Sequence, residues 1–373
     1  MRIAVVLPSN EPFSPLRGGA LARWVYEVYR RINVDCLVFA APDKNAYTGL
    51  NLYQVPTENF TKYLKGSKQV SHHLKYNLYP LVIALYCKWK NINTIHILNR
   101  PAYALVFRKV LPKARIILHM QNSHLLSLPD KLLADVMKSN DEIISCSKFL
   151  NDEINERTQF SFDKKLKVIF NGANTYNSAM LANLQSARSN SERSIVFVGR
   201  VVREKGVLEL INAFSEVCKS LDNVHLYIIG GHHFGDDYES DFIHEVKFEA
   251  SKLKDKVTFT GYLTHDQILP ILVNASIFVC PSTWEEPFGM VLTEAMAVKL
   301  PIIASNRGGI PEVIGNTGIL IEPENTNQFA DAIIYLLENP DIAKELGLKG
   351  HERLHKHFTW EQISSEFISL IKS

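Results

Sequence analysis

The chain has 373 residues, 46% hydrophobic and 21% charged, with a formal net charge of +2. That is an ordinary globular composition, and the length asks for two domains, each long enough to bury its own core. The five cysteines (Cys36, Cys87, Cys146, Cys218 and Cys280) are widely spaced with no C-x-x-C pair, which argues against a disulfide framework or a zinc site and for buried thiols in a reducing compartment.

The first residues, "MRIAVVLPSN", carry too short an apolar run for a signal peptide and read as a strand over 3–8. The loop after it holds Gly18 and Gly19, which open a helix over 20–32. A glycine pair before a helix lets backbone N–H groups approach an anion, although a plain tight turn explains it equally well. It is not G-x-G-x-x-G, and no acid ends the next strand at 34–39, so NAD binding is disfavoured.

Charge is then distributed unevenly. Residues 1–175 carry 24 Lys and Arg against 13 Asp and Glu, a balance of +11, and the remainder carries −9. No acid occurs between Glu58 and Asp130, where 11 Lys and Arg interleave with aromatics. A solvated face is the plain reading. The sharper one is that the basic stretch 59–129 meets an anionic membrane surface or a lipid-linked acceptor. No nucleic-acid module matches, so nucleic acid is not expected. The longest apolar run, 78–87, is too short to span a bilayer.

Further strands fit at 94–98, 115–119, 142–146 and 166–170, with helices at 102–111 and 148–157. The polar segment 174–193 lacks strand periodicity and reads as a linker. A second series follows: strands at 194–199, 224–230, 256–261, 276–281, 301–306 and 318–323, with helices at 204–221, 238–253, 288–298, 326–338 and 340–353. A last helix follows Thr359. The expected fold class is α/β, two Rossmann-like doubly wound parallel sheets. The expected domains are 1–175, a linker at 176–193, 194–355, and a terminal helix over 356–373 that is free to cross back to the first domain. Ligands of such sheets bind outside the carboxyl ends of the strands, here in a cleft between the two domains.

Three strand ends of the second series carry chemistry. Strand 194–199 runs into "GRVVREKG", so Arg200 and Lys205 sit at a strand end just before a helix, suited to clamp a diphosphate. Strand 276–281 runs into "STWEEPFGMVLTEA". Pro287 keeps Glu286 extended, the N–H groups of Phe288, Gly289 and Met290 lie at a helix start, and Glu294 follows more than a turn later. Two such acids suit hydroxyls at the two ends of a nucleotide sugar; a dipole-stabilised helix start is the plainer reading. "GGHHFGDD" at 230–237 reads as a loop bordering the nucleotide base, with Gly230 and Tyr262 as contacts, although a metal site is conceivable there.

The glycine pair, "GRVVREKG" and "EEPFGMVLTEA" with its E-x7-E spacing, together with "ILHMQNSH", "VIFNGAN" and "SNRGGIPEVI", resemble glycosyltransferase family 4, retaining enzymes of the GT-B fold, and within it most resemble lipopolysaccharide core glycosyltransferases. The resemblance implies that Arg200 and Lys205 hold the donor diphosphate with the Gly18–Gly19 loop near it. It implies that Glu294 takes the ribose, that Glu286 with Phe288 and Gly289 holds the sugar, and that His119 lies near its reacting face. "NGAN" departs from the family's usual Asn-Gly-Val-Asp, which puts a contact near Asn171 and Gly172 in doubt.

Negative charge builds on the departing diphosphate, and Arg200 and Lys205 meet it, so neither a metal nor another cofactor is expected, and the chain has no D-x-D signature. "HERLH" at 351–355 fits a zinc-protease pattern but reads as a solvated basic helix end, and Trp284 and Trp360 read as packing residues. The expected activity is retaining transfer of a hexose or N-acetylhexosamine from a nucleotide sugar, UDP-linked, to a lipopolysaccharide-core or other lipid-linked glycan, on the inner face of the cytoplasmic membrane. A sugar-nucleotide epimerase of the same architecture and a non-catalytic nucleotide-sugar binder are the alternatives.

Overall fold

A computed structural model of the chain describes residues 2–56, 68–185, 193–231 and 240–372, without the side chains of 68–77. Residues 59–67 of the basic stretch, 186–192 of the expected linker and 232–237 of the His/Asp stretch lie outside the described residues. The chain forms two compact units, Met1–Asn171 with Trp360–Ser373, and Gly172–Thr359.

In the first unit the Ile- and Val-rich runs become strands, because branching at Cβ favours extended backbone. They are β1 (Arg2–Val6), β2 (Asp35–Ala40), β3 (Asn51–Gln54), β4 (Thr94–Leu98), β5 (Arg115–Met120), β6 (Glu142–Ser145) and β7 (Leu166–Val168). All pair in parallel, in the order β3-β2-β1-β4-β5-β6-β7. β4 is buried at every position, as expected of a parallel strand covered on both faces.

Helix Ala20–Tyr29 follows β1 and buries Trp24, Val25, Val28 and Tyr29. The last helix, Trp360–Lys372, packs on it within this unit: Phe367 lies edge-on to Trp24 at 5.2 Å and to Tyr29 at 5.5 Å. The Arg115 guanidinium donates to the carbonyls of Leu370 and Ile371 at 2.9 Å, satisfying the orphan acceptors at that helix's C-terminus.

Three elements here were not read from the sequence. The edge strand β3, "NLYQ", is mostly exposed and has no apolar run. Helix Asp130–Ser139 turns only Leu133, Val136 and Met137 inward. Helix Lys68–Trp89 contains the 78–87 run and an internal Pro80. Among the described residues no helix is long and apolar enough to cross a membrane.

The second unit holds β8 (Arg193–Val198), β9 (Val224–Ile229), β10 (Val257–Gly261), β11 (Ile277–Cys280), β12 (Ile302–Ser305) and β13 (Ile319–Ile321), in the order β10-β9-β8-β11-β12-β13 and also parallel. Its core includes Phe197, Phe214, Leu226, Ile277, Ile303 and Phe329. A short helix, Ser178–Leu184, stands where the sequence reading expects linker. Asn177 caps it, Leu181 is buried, and the amide of Asn274 donates to its Leu184 carbonyl at 2.9 Å.

Strand order reverses between β1 and β4 in the first unit and between β8 and β11 in the second. Loops leaving the strands on either side of such a switch diverge and leave a crevice at the carboxyl end of the sheet. The loops after β8 and β11 carry the residues singled out above.

Candidate functional site

β8 and β11 are direct neighbours, with Ile195 opposite Ile277 and Val196 opposite Phe278. The two loops therefore leave the sheet side by side, although Lys205 and Glu286 are 81 residues apart. After β8 the chain passes Gly199 and the exposed Arg200, makes a tight turn at Arg203–Lys205, and enters helix Val207–Ser220 through Gly206. Gly206 has φ +69°, and a Cβ there would run into the Pro281 carbonyl. Glycine is required twice over, for the left-handed backbone and for the close approach. The β11 loop is tied to this turn by Thr283 N–H, which donates to the Glu204 carbonyl at 3.0 Å.

These contacts bring Lys205 Nζ into an ion pair with Glu286 Oε2, with the side chains only 19% and 12% exposed. The same oxygen accepts from Trp284 Nε1 at 2.9 Å and, more distantly, from Ser282 Oγ at 3.4 Å. Trp284, expected to be a packing residue, instead spends its one polar group on the site; Trp360 is fully buried as expected. Arg200 has no side-chain partner among the described residues. Cys280 lies beneath, its thiol pushed up to about 11 by burial and, second, by the Glu286 charge, so it stays protonated.

The β12 loop braces the β11 loop from the other side. Gly309 N–H donates to the Glu286 carbonyl at 2.7 Å, and Gly308 N–H to Glu285 Oε2 at 2.5 Å. Gly308 has φ +57°, and a Cβ on it would meet the Glu286 backbone. The sequence reading quoted this glycine pair without giving it a role. Pro287 then leads to the buried Phe288 and to Gly289 (φ +83°), which starts helix Met290–Ala297. Glu294 sits one turn in and faces His265 Nδ1 at 3.8 Å, whose Nε2 is 2.8 Å from the Tyr176 hydroxyl.

Gly230 ends β9 beside β8. Its N–H donates to the Gly261 carbonyl at 2.9 Å, and a Cβ there would strike the Gly199 carbonyl. Tyr262 follows Gly261 and is half-buried.

In the first unit, Gly18 is wedged against Ala22 Cβ and the carbonyls of Pro12 and Ser14, with no room for a side chain. Gly19 N–H, at the start of helix Ala20–Tyr29, already donates to Glu11 Oε1 at 2.7 Å. A carboxylate of the chain itself therefore occupies that amide. Burial raises the pKa of Glu11, opposed by that hydrogen bond and by Arg100.

His119 ends β5 and is fully buried. Its Nδ1 lies 3.3 Å from His96 Nε2, and His96 Nδ1 lies 2.9 Å from the Tyr29 hydroxyl. Trp24 stands edge-on to the His119 ring at 4.5 Å, and His119 Nε2 has no hydrogen-bond partner among the described residues. Burial holds His119 down to about 3 and His96 well below its usual value. Both rings are neutral near pH 7.

His351 of "HERLH" packs its Nδ1 3.1 Å from the Met296 carbonyl and its ring against His355, and is half-buried rather than solvated. Among the described residues no three His, Cys, Asp or Glu cluster as metal ligands.

Residues 183–353 match the family model of glycosyl transferases group 1. With the relatives that follow, this likeness makes the chain an enzyme, a transferase. Spore coat protein SA of Bacillus subtilis is 27% identical over 387 residues, covering 99% of each chain. The lipopolysaccharide 1,2-N-acetylglucosaminetransferase of Salmonella typhimurium is 26% identical over 378 residues, covering 96% of this chain and 95% of its own length. A crystal structure of Anabaena Alr3699/HepE in complex with UDP and glucose matches with a TM-score of 0.77 over 100% of both chains at 18% identity, a likeness of fold. The two parallel Rossmann-like sheets expected from the sequence are thus those of the GT-B glycosyltransferases.

Proposed function

We propose that this enzyme moves a hexose or N-acetylhexosamine from a nucleotide sugar, UDP-linked, to a lipopolysaccharide-core or other lipid-linked glycan, with retention at the anomeric carbon. The observation that carries this reading is the meeting of Lys205 with Glu286 at the switch point of the second sheet, with Arg200 on the same strand end. A cation and an acid held side by side fit a ligand with diphosphate at one end and hydroxyls at the other.

When the anomeric bond breaks, charge moves onto the diphosphate. Arg200 and Lys205 stabilise it there, in the role that a metal would otherwise take, and fixed charges of this kind cost no reorganisation at the moment of reaction. Glu286, with Phe288, Gly289 and Met290 at the following helix start, orients the sugar. Glu294 accepts from the ribose, and Gly230 and Tyr262 border the base. In the first unit His119, fully buried against Trp24 and His96, has no surface to offer a donor, and the Gly19 amide is taken by Glu11. On the face that the diphosphate leaves, its oxygen takes the proton of the attacking acceptor hydroxyl.

UDP is chosen because the Anabaena relative in fold binds it, and the acceptor because the Salmonella relative acts on lipopolysaccharide. A lipid-linked acceptor also agrees with the helix Lys68–Trp89, which exposes Val82, Leu85, Lys88 and Trp89, with Lys90 Nζ 3.8 Å over the Trp89 ring. Tryptophan and lysine together suit the headgroup level of an anionic leaflet, and the enzyme works there as a peripheral protein on the cytoplasmic side. The test is incubation with radiolabelled UDP, GDP and ADP sugars and deacylated lipopolysaccharide cores. Transfer with retention supports the reading; isomerisation of the donor, or binding without turnover, refutes it.

A further inference from the structure

Lys205 has two anions to serve. It pairs with Glu286 Oε2, yet its proposed task is to hold the donor diphosphate. Once phosphate draws the ammonium away, Glu286 needs another donor to keep its carboxylate in place. That side chain is only 12% exposed, so water is a poor substitute.

Trp284 supplies the donor. Its Nε1–H reaches Glu286 Oε2 at 2.9 Å, and unlike Lys205 it carries no charge for a phosphate to compete for. All the contacts to this carboxylate, from Lys205, Trp284 and Ser282, fall on Oε2. Oε1 accepts nothing from the described residues. The backbone beneath is pinned by the bond from Gly309 N–H to the Glu286 carbonyl and by Pro287, which limits Glu286 to extended conformations. The carboxylate is thus held by one oxygen and presents the other, an acceptor with free lone pairs.

We infer that Trp284 is a positioning residue of the transfer: its indole N–H holds Glu286 by Oε2 after the diphosphate has engaged Lys205, leaving Oε1 to accept from the hydroxyls of the transferred sugar. The inference rests on the reading of this site as the nucleotide-sugar site. It predicts that Trp284 matters to the sugar half of the donor and not to the nucleoside diphosphate half.

The experiment compares the unaltered protein with Trp284→Phe, which keeps a ring beside Lys205 and removes only the N–H. A thermal-shift panel of UDP, GDP and ADP with their sugars first selects the donor. Calorimetry then gives the affinity for the bare nucleoside diphosphate and for its sugar conjugate, and initial rates give kcat and KM. The expected result is an unchanged affinity for the diphosphate, an unchanged melting temperature, and a loss of about tenfold or more in the extra affinity contributed by the sugar and in kcat, the scale of a hydrogen bond to a charged group. Unchanged sugar affinity and kcat in Trp284→Phe overturn the inference and leave the donor site standing. A parallel loss of diphosphate affinity, sugar affinity and melting temperature assigns Trp284 a structural role and overturns it too. If the unaltered protein binds none of the panel, the donor-site reading itself fails, and this inference with it.

Discussion

The neutral histidine pair makes the first unit acid-sensitive by a calculable amount. In the folded protein burial holds His119 at about 3, whereas in the unfolded chain it returns to about 6.5. Between those values the unfolded state binds a proton that the folded state refuses, so stability is complete above pH 6.5 and falls as pH falls. At 1.36 kcal/mol per unit, His119 alone removes about 2 kcal/mol between pH 7 and pH 5. His96, shifted in the same direction, adds to it. His119→Phe keeps an aromatic ring against Trp24 and abolishes the titration. Urea unfolding at pH 7 and pH 5, followed by hydrogen exchange at β4 and β5, should give this variant a pH dependence smaller by about 2 kcal/mol, whatever its stability at pH 7. An identical pH dependence in parent and variant would mean that the ring is protonated while folded, and would refute the argument from burial.

Lys205→Ala should lower kcat by about 2–4 kcal/mol of lost charge stabilisation, measured as initial rates at saturating donor; a rate near the parent's removes Lys205 from the chemistry. Gly206→Ala forces a left-handed backbone and a clash with the Pro281 carbonyl, so it should cost about 1–3 kcal/mol or more in stability and weaken nucleoside diphosphate binding, read by thermal shift and calorimetry. Reversing Lys88 and Lys90 to Glu and replacing Leu85 and Trp89 with Ser should release the protein from anionic vesicles in a flotation assay, with about 1 kcal/mol lost for each basic residue removed. Binding that survives these changes rules out this helix face as the docking surface.

Periodicity made the alternation of strands and helices legible, since runs such as "TIHIL" and "IFVC" are buried on both faces and rich in residues that favour extended backbone. β3 escaped because an exposed edge strand has no hydrophobic run to announce it. The helix Ser178–Leu184 escaped because one buried leucine in a polar segment is too little signal. At the site, the residue types were readable and the partnerships were not. Lys205 and Glu286 were assigned separately to phosphate and sugar; their pairing depends on β8 lying next to β11, and no local pattern encodes strand order. The Trp284 N–H was missed for a related reason: from sequence a tryptophan reads as apolar bulk, and only the position of Glu286 Oε2 reveals that its donor is engaged. Gly308 and Gly309 could have been found, because a glycine pair before a helix signals close backbone approach.

The helix Trp360–Lys372 gives the first unit a seam far along the chain: it is assembled from the opening 171 residues and the closing 14. During synthesis the seven-stranded sheet emerges long before the piece that covers Trp24 and Tyr29, so an apolar face waits open while the whole second unit is made. A stop codon just after Thr359 would spare every residue of the second unit and still leave the first one uncovered.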